Sequence, residues 1–162
     1  MKRTLAIMAL SLLGAAGGVS AQEAVTPAAN PDALFTSPDP KLNANKQAAY
    51  HIVKDLLECG HWDEADTYLT PAYHQHNPAV KSGRDAVVGF FTQVLKVQPK
   101  PCPAKMQTPV VSVVAEGDLV IVVVPRIMKD PKDPSKSYTT TWFDMWRFVD
   151  GKADEHWDGA TL

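Results

Sequence analysis

The feature that most constrains the fold is a change in hydrophobic periodicity near residue 97. Before it, apolar residues recur at helical spacing in segments 43–60 and 82–97. A proline-rich break at 98–109 follows, and β-branched and aromatic residues then alternate over 110–158 in short runs typical of strands. Helices first and antiparallel strands afterwards predict an α+β fold, with the helices packed on one face of a curved sheet.

The first 21 residues have the pattern of a cleavable export signal. Lys2 and Arg3 precede a short apolar run, and small residues lead to a cleavage site after Ala21. The run is shorter than the roughly 20 residues that a membrane anchor needs. We therefore expect a periplasmic or secreted protein without a membrane anchor.

Two further segments make up the rest of the chain. Residues 22–42 contain four prolines and scattered small polar residues, which predicts a flexible arm without a packed element. Residues 43–162 have the length of one domain. A short second helix is predicted at 61–69, and segment 70–83, between it and the third predicted helix at 82–97, is interpreted as a loop.

The charge distribution argues against nucleic acid and anionic membranes as partners. Without Lys2 and Arg3, 14 basic side chains stand against 18 acidic ones, and no basic cluster is present. The chain also has no Gly-x-Ser-x-Gly nucleophile motif and no glycine-rich phosphate loop. Cys59 and Cys102 could form a disulfide in an oxidising compartment, or remain two unpaired thiols.

Most of the candidate functional side chains lie in the last predicted hairpin, residues 138–158. The register of this hairpin decides which residues lie opposite each other. A two-residue turn at Asp150-Gly151 would place Asp144 opposite Trp157. A three-residue turn with a glycine bulge would place Asp144 opposite His156. We favour the three-residue turn, because it gathers polar groups on one aromatic-walled face.

That face would hold Asp144, His156 and Asp158 beside Trp142 and Trp146. A carboxylate among tryptophans loses hydration, which raises its proton affinity toward values useful for acid–base work, and an imidazole can relay the proton. The alternative is a solvated hairpin tip with ordinary surface charges.

Two segments resemble SnoaL-like proteins of the nuclear transport factor 2 superfamily: FDMWRFVDGKADEHWDG near the end of the chain and YHQHNPAVKSGRDAVVGFF from Tyr73 onward. The resemblance covers about residues 43–160. It implies a cone-shaped, strongly bent sheet wrapped around helices and enclosing an apolar pocket. The name-giving members are polyketide cyclases that close a ring by aldol condensation without a metal or an organic cofactor, and superfamily members often form homodimers.

The resemblance also implies roles for single residues. Asp158 matches the acid–base carboxylate of the cyclases, and Asp144 falls where they carry a histidine, so His156 would take over the imidazole role. His76 and Asn77 would lie at the pocket rim, with His74 outside it.

Tyr73 could donate a hydrogen bond to a substrate oxygen or be a core tyrosine. His74 and His76 form an H-x-H pair, but two nitrogens without further ligands are weak evidence for a metal, and none is expected.

Two functions follow from this reading. The first is a cofactor-free lyase or isomerase acting on a small apolar carbonyl compound, by aldol-type or proton-transfer chemistry. Asp158, His156 and Asp144 would be catalytic, and substrate would be bound by Tyr73, His76, Asn77, Trp142 and Trp146. The second is a non-catalytic domain that binds a small hydrophobic ligand or a protein partner. Whether the chain is an enzyme is left open by the sequence.

Overall fold

The structure, a computed structural model, describes residues 23–161. The predicted export signal at residues 1–21 lies outside the described residues. Within the described range, no helix combines the length and the apolar character that crossing a membrane requires.

The predicted arm at 22–42 is packed against the domain in its second half. Pro31–Phe35 form a 3-10 helix, and the Phe35 side chain is fully buried. Its ring meets the ring of Tyr50 edge-on, with the centroids 5.4 Å apart. The expectation that the prolines would prevent a packed element is therefore wrong from Pro31 onward, because one buried aromatic side chain anchors this stretch.

Two of the three helices continue into wider π-helical turns. Helix α1 begins before Asn43, because the Asp39 carboxylate caps it by accepting the N–H of Leu42 at 2.9 Å. Short α2 follows a 3-10 turn at Trp62–Glu64. The helices are α1 (Pro40–His51, continued by the π segment Ile52–Glu58), α2 (Ala65–Tyr68) and α3 (Arg84–Gly89, continued by the π segment Phe90–Val94).

The strands form one five-stranded sheet in the order β1-β5-β4-β3-β2. All neighbouring pairs are antiparallel except β1 and β5, which are parallel. This arrangement confirms the α+β class. The strands are β1 (Leu69–Gln75), β2 (Ser112–Glu116), β3 (Leu119–Lys129), β4 (Ser137–Val149) and β5 (Lys152–Trp157).

Strand β1 corrects the interpretation of 70–83 as a loop. Leu69 pairs with Ala153 and Gln75 pairs with His156, with an irregularity between these points. The pairing goes one step beyond the strand, since the N–H of His76 donates to the carbonyl of His156 at 3.1 Å. The first half of the predicted loop is therefore an edge strand that lies beside the last strand of the chain.

The β4–β5 hairpin has a tighter turn than the favoured three-residue one. Val149 pairs with Lys152 across Asp150-Gly151, and both turn residues have positive φ, 48° and 79°, as a two-residue type I′ turn requires. The register then shifts, because Arg147 pairs with Glu155 and Asp154 is left as an extra residue.

The bulge at Asp154 shifts the later residues of β5 by one position, so Asp144, His156 and Asp158 share one face of the hairpin, as the sequence favoured. Beyond Asp154, Trp146 pairs with His156, so even-numbered residues of both strands share the inner face. The turn prediction was wrong, but Asp144 and His156 still lie on one side of the sheet. A bulge and a longer turn have the same effect on which side chains face the helices.

The core lies between α1 with its π segment and the inner face of the sheet. Fully buried members come from every part of the fold. They include Phe35, Ala49, Leu56, Leu69, Val120, Val122, Trp146 and Ala153.

Cys59 and Cys102 form a disulfide that spans 43 residues. It ties the proline-rich segment to the end of the α1 π segment. The carbonyl of Cys59 also accepts the N–H of Lys100 at 2.9 Å, so the segment is held at two neighbouring points.

Candidate active site

A cavity of about 120 Å³ lies between the helices and the inner face of the sheet. Its helical wall is apolar and comes mainly from the two π segments, which contribute Leu56, Leu57, Phe90 and Phe91 among others. Single π turns inside helices are frequently found at functional sites. The sheet wall is polar, and is made of Tyr73, Gln75, Asn77, Asp144, Trp146, His156 and Asp158.

The wall beside α3 is stiffened by stacked aromatic rings. Trp62 lies flat on Phe91, with ring centroids 3.9 Å apart and planes 10° from parallel. The Trp62 indole N–H is buried and has no acceptor among residues 23–161. Stacking rather than hydrogen bonding therefore holds the Trp62 ring in place.

His156 connects two neighbouring strands through its ring nitrogens. Nδ1 lies 2.8 Å from Oε1 of Gln75 on β1, and Nε2 lies 3.1 Å from Oδ1 of Asp144 on β4. Oε1 of Gln75 also accepts the backbone N–H of Asn77 at 3.0 Å. Because a backbone N–H can only donate, this contact identifies the atom as the amide oxygen, and Nδ1 of His156 must carry a proton.

The protonation of Nδ1 has a consequence at the other nitrogen. A neutral imidazole protonated at Nδ1 has a lone pair at Nε2, which faces the Asp144 carboxyl group. The 3.1 Å contact is a hydrogen bond only if one proton lies between the two groups. His156 and Asp144 therefore form a pair that holds one transferable proton. Both are well shielded from solvent, with side chains 8% and 19% exposed respectively.

Asp158 is held in place by N–H donors at both carboxylate oxygens. Oδ2 accepts from the side-chain amide of Asn77 at 2.7 Å, and Oδ1 accepts from the backbone N–H of Ala160 at 2.9 Å. These contacts fix the orientation of the carboxyl group, and the remaining lone pairs of its oxygens are available to accept a hydrogen at the cavity wall.

Tyr73 is arranged as a proton donor. It is 4% exposed, and its oxygen accepts the indole N–H of Trp146 at 3.0 Å. Burial raises the pKa of Tyr73 above its usual value, and the nearby Asp144 and Asp158 carboxyls act in the same direction. The hydroxyl thus keeps its hydrogen at neutral pH, and that hydrogen is available to an oxygen atom of a ligand.

Asp144, His156 and Asp158 can bring one ligand atom each to within 4.8 Å of one another, a spacing that a divalent cation could bridge. Nε2 of His156 lies 3.1 Å from Oδ1 of Asp144, and both oxygens of Asp158 accept N–H donors.

Two predicted binding residues do not line the cavity. The indole N–H of Trp142 donates to Oδ1 of Asp144 at 3.1 Å, and the guanidinium of Arg126 lies 4.6 Å from the Trp142 ring centre. Trp142 thus supports Asp144 from outside the cavity. His76 lies on the outer face, where its ring stacks on Trp157 at 5.2 Å.

The remaining expected residues are brought together in the cavity wall: Asp144, His156, Asp158, Tyr73, Asn77 and Trp146. Gln75 joins them and was missed. A sequence pattern could have indicated Gln75. Tyr73, Gln75 and Asn77 occupy every second position, as residues on one face of a strand do. Arg147 lies on the outer face, where it pairs with Asp118 and Glu155.

Three solved structures have the same fold. A proposed polyketide cyclase from Acidithiobacillus ferrooxidans is 16% identical, with a TM-score of 0.54 over 76% of this chain and 90% of that chain. A proposed SnoaL-like polyketide cyclase from Jannaschia sp. CCS1 has the same identity and coverage, with a TM-score of 0.55. A protein of unknown function from Burkholderia pseudomallei, described as similar to nuclear transport factor 2, is 18% identical with a TM-score of 0.51, over 73% of this chain and 91% of that chain.

No curated protein matches the sequence. The sequence profile of the SnoaL-like domain matches residues 47–156, which is more than half of the chain and includes Asp144 and His156. The expected resemblance is confirmed, and the chain belongs to the SnoaL-like domain family.

Proposed function

We propose that the protein is a cofactor-independent lyase or isomerase. It would transfer a proton to or from the carbon atom beside the carbonyl group of a small, largely apolar compound. The observation that carries the proposal is the convergence of three elements in one cavity. These are a carboxylate held by N–H donors, a histidine–carboxylate pair with one transferable proton, and a buried tyrosine hydroxyl. The SnoaL-like family, with structural neighbours described as polyketide cyclases, supports carbonyl chemistry.

The geometry suggests how the groups divide the work. Asp158 accepts a proton from the carbon beside the carbonyl group, and Asn77 keeps the carboxylate in position. The Tyr73 hydroxyl donates a hydrogen bond to the carbonyl oxygen as negative charge develops there, and Trp146 steadies the tyrosine oxygen. The His156–Asp144 pair supplies a proton to the enolate or to a leaving group.

Deuterium exchange tests this proposal without a known substrate. Cyclohexanone and ethyl acetoacetate in D₂O are followed by NMR for loss of the hydrogens next to the carbonyl group. Wild-type protein is expected to accelerate the exchange, and Asp158→Asn to lower the rate by about 10²- to 10⁴-fold, the range for removal of a general base.

The matched control is Asp150→Asn, which neutralises an exposed carboxylate at the hairpin turn. Its positive φ of 48° is one that asparagine adopts readily. Wild-type rates in this control would show that the loss is specific to Asp158. Full exchange activity in Asp158→Asn would contradict the assignment.

The second candidate is a non-catalytic pocket for a small hydrophobic ligand. The resemblance to the cyclases favours it, because Asp144 falls where that resemblance implies a histidine. Native mass spectrometry of protein purified from its source compartment distinguishes the two functions. A retained ligand together with no Asp158-dependent exchange would favour binding.

Export and dimerisation are further proposals. The Cys59–Cys102 disulfide supports an oxidising compartment, such as the periplasm or the exterior, and N-terminal sequencing of the natural protein tests cleavage after Ala21. The outer sheet face exposes Val114, Ile127 and Phe143, the last by 51%, which supports a homodimer through this face. Sedimentation of Phe143→Asp is expected to show a monomer.

A further inference from the structure

We infer that the substrate is longer than the cavity that holds its reacting end. A small carbonyl head occupies the cavity, and an uncharged, largely apolar extension lies in a neighbouring groove along α3. The inference rests on the proposed function, since it specifies the class of compound for the same site.

The size of the cavity is the first argument. Its volume of about 120 Å³ is close to that of an engineered apolar cavity of about 150 Å³ in another protein that holds benzene. Sites for small-molecule ligands usually measure about 300–1,000 Å³. The cavity alone therefore accommodates about one ring, which is less than most small-molecule sites hold.

The groove beside the cavity supplies the missing volume. It measures about 400 Å³ and is open to solvent, and Val80 and Phe90 line both the groove and the cavity. Cavity and groove together reach the usual size of a ligand site. The groove is lined by Ala79, Val80, Lys81, Asp85, Ala86, Gly89, Phe90, Gln93 and Val94.

The lining of the groove indicates the chemistry of the extension. Val80, Phe90 and Val94 offer apolar surface, and Val94 is 67% exposed, which is unusual for a large apolar side chain without a partner. Lys81 and Asp85 add one charge of each sign, so the groove has no net preference for a charged group. An alkyl or other uncharged extension fits this surface.

A second depression also adjoins the cavity. Trp62, whose ring lies flat on Phe91, is the one residue among 23–161 that lines both, whereas Val80 and Phe90 line both the cavity and the groove along α3. The depression is also lined by two acidic side chains, Asp63 and Glu64. The groove along α3 is therefore the better path for an apolar extension.

Gly89 makes the inference testable. A Cβ atom placed there meets no atom within 4 Å, so a larger side chain fits without a clash. Gly89 lines the groove and not the cavity. Gly89→Leu is thus expected to fill the groove while leaving the reacting groups in place, and Gly89→Ala is a matched control that adds only a methyl group.

The experiment compares cyclohexanone with 4-hexylcyclohexanone by isothermal titration calorimetry on the full chain as purified. A fully buried methylene tightens binding about fourfold. We expect the hexyl compound to bind wild-type protein and Gly89→Ala at least about tenfold more tightly than cyclohexanone. In Gly89→Leu, the hexyl compound should bind less than about twofold more tightly than cyclohexanone, and the Kd for cyclohexanone should be unchanged.

Circular dichroism checks the fold of each variant. If Gly89→Leu does not fold, Val94→Glu places a charge on the exposed groove wall and is expected to remove the same gain. Equal Kd values for the two ketones in wild-type protein would overturn the inference, and so would a full hexyl gain in both groove variants.

These outcomes are separable from the proposed function. Asp158-dependent exchange into cyclohexanone without a hexyl gain would retain the proton-transfer activity and remove the groove from the substrate site. A Gly89-dependent gain without any exchange would retain the groove as a ligand site and remove the catalytic activity.

Discussion

Gln75 accepts a hydrogen bond from His156 at 2.8 Å across the parallel β1–β5 pair. Since the same amide oxygen accepts the backbone N–H of Asn77, it fixes which imidazole nitrogen carries hydrogen. Gln75 thereby leaves Nε2 as the nitrogen that shares a proton with Asp144. Gln75 does not titrate, but it thus determines which nitrogen of His156 exchanges a proton with Asp144.

Gln75→Leu is expected to lower the deuterium-exchange rate by about 10- to 100-fold, because it leaves a buried imidazole N–H without its acceptor. Gln75→Glu keeps an acceptor there and should retain more activity. His74→Ala is the control, since His74 is the exposed neighbour on the same strand. Equal activity in Gln75→Leu and wild-type protein would contradict this role.

Deletion of Asp154 is expected to abolish both exchange and cyclohexanone binding. The deletion removes the bulge, so every later residue of β5 moves to the opposite face and the His156 imidazole turns outward. Asp154→Ala is the control, because it removes the 2.6 Å hydrogen bond from Thr70 but keeps the residue count. Activity in the deletion variant would show that the site does not depend on the bulge.

Lys54→Met is expected to destabilise the fold by about 1–3 kcal/mol at neutral pH, because the Tyr50 oxygen and the Ala104 carbonyl lose a donor. Lys54 is 8% exposed, and its hydrogen bond to Tyr50 raises the lysine pKa above its usual 10.5, although burial opposes this. The contribution of Lys54 to the free energy of unfolding is fully present below pH 10.5 and is lost as the pH rises through the raised pKa of the lysine.

Urea unfolding from pH 6 to pH 11.5 measures this dependence. The difference in unfolding free energy between wild-type protein and Lys54→Met should be constant to about pH 10 and narrow above it. The exposed Lys132→Met variant should show no such difference. A difference that widens at high pH would contradict the assignment.

Replacing both cysteines by alanine is expected to lower stability by about 4 kcal/mol on the chain-entropy estimate for a 43-residue separation. For a domain of this size, the melting temperature should fall by roughly 10–15 °C. Differential scanning calorimetry measures it, and wild-type protein under reducing conditions should show a similar fall. A melting temperature within a few degrees of oxidised wild-type protein would show that the bond constrains little.

The sequence was sufficient for the fold class and for most of the polar wall, because helical and strand periodicities are local and the motif spacing is distinctive. One misassigned segment explains two of the errors at the site. With 70–83 taken as a loop, Gln75 was overlooked and His76 was expected at the pocket rim. Once 69–75 is a strand, Tyr73 and Gln75 face inward and His76 faces outward.

The other errors have tertiary causes. The bulge at Asp154 carries no distinctive residue type, and it is recognisable only once β4 and β5 are paired. Burial of Phe35 depends on a partner, Tyr50, that lies fifteen residues further along the chain. An apolar side chain in a proline-rich segment docks only where the domain offers a space for it, and the local sequence pattern does not show that space.

The parallel pairing of β1 with β5 also has a consequence for the order of folding. The contact between Gln75 and His156 joins residues that are 81 positions apart, and it needs strand β5. Contacts of such high sequence separation close long loops and form late. During synthesis, a chain released before β5 has emerged would contain the helices and most of the sheet, but neither the imidazole nor Asp158. The site proposed for proton transfer can therefore form only after β5 and Asp158 have been synthesised and β5 has paired with β1.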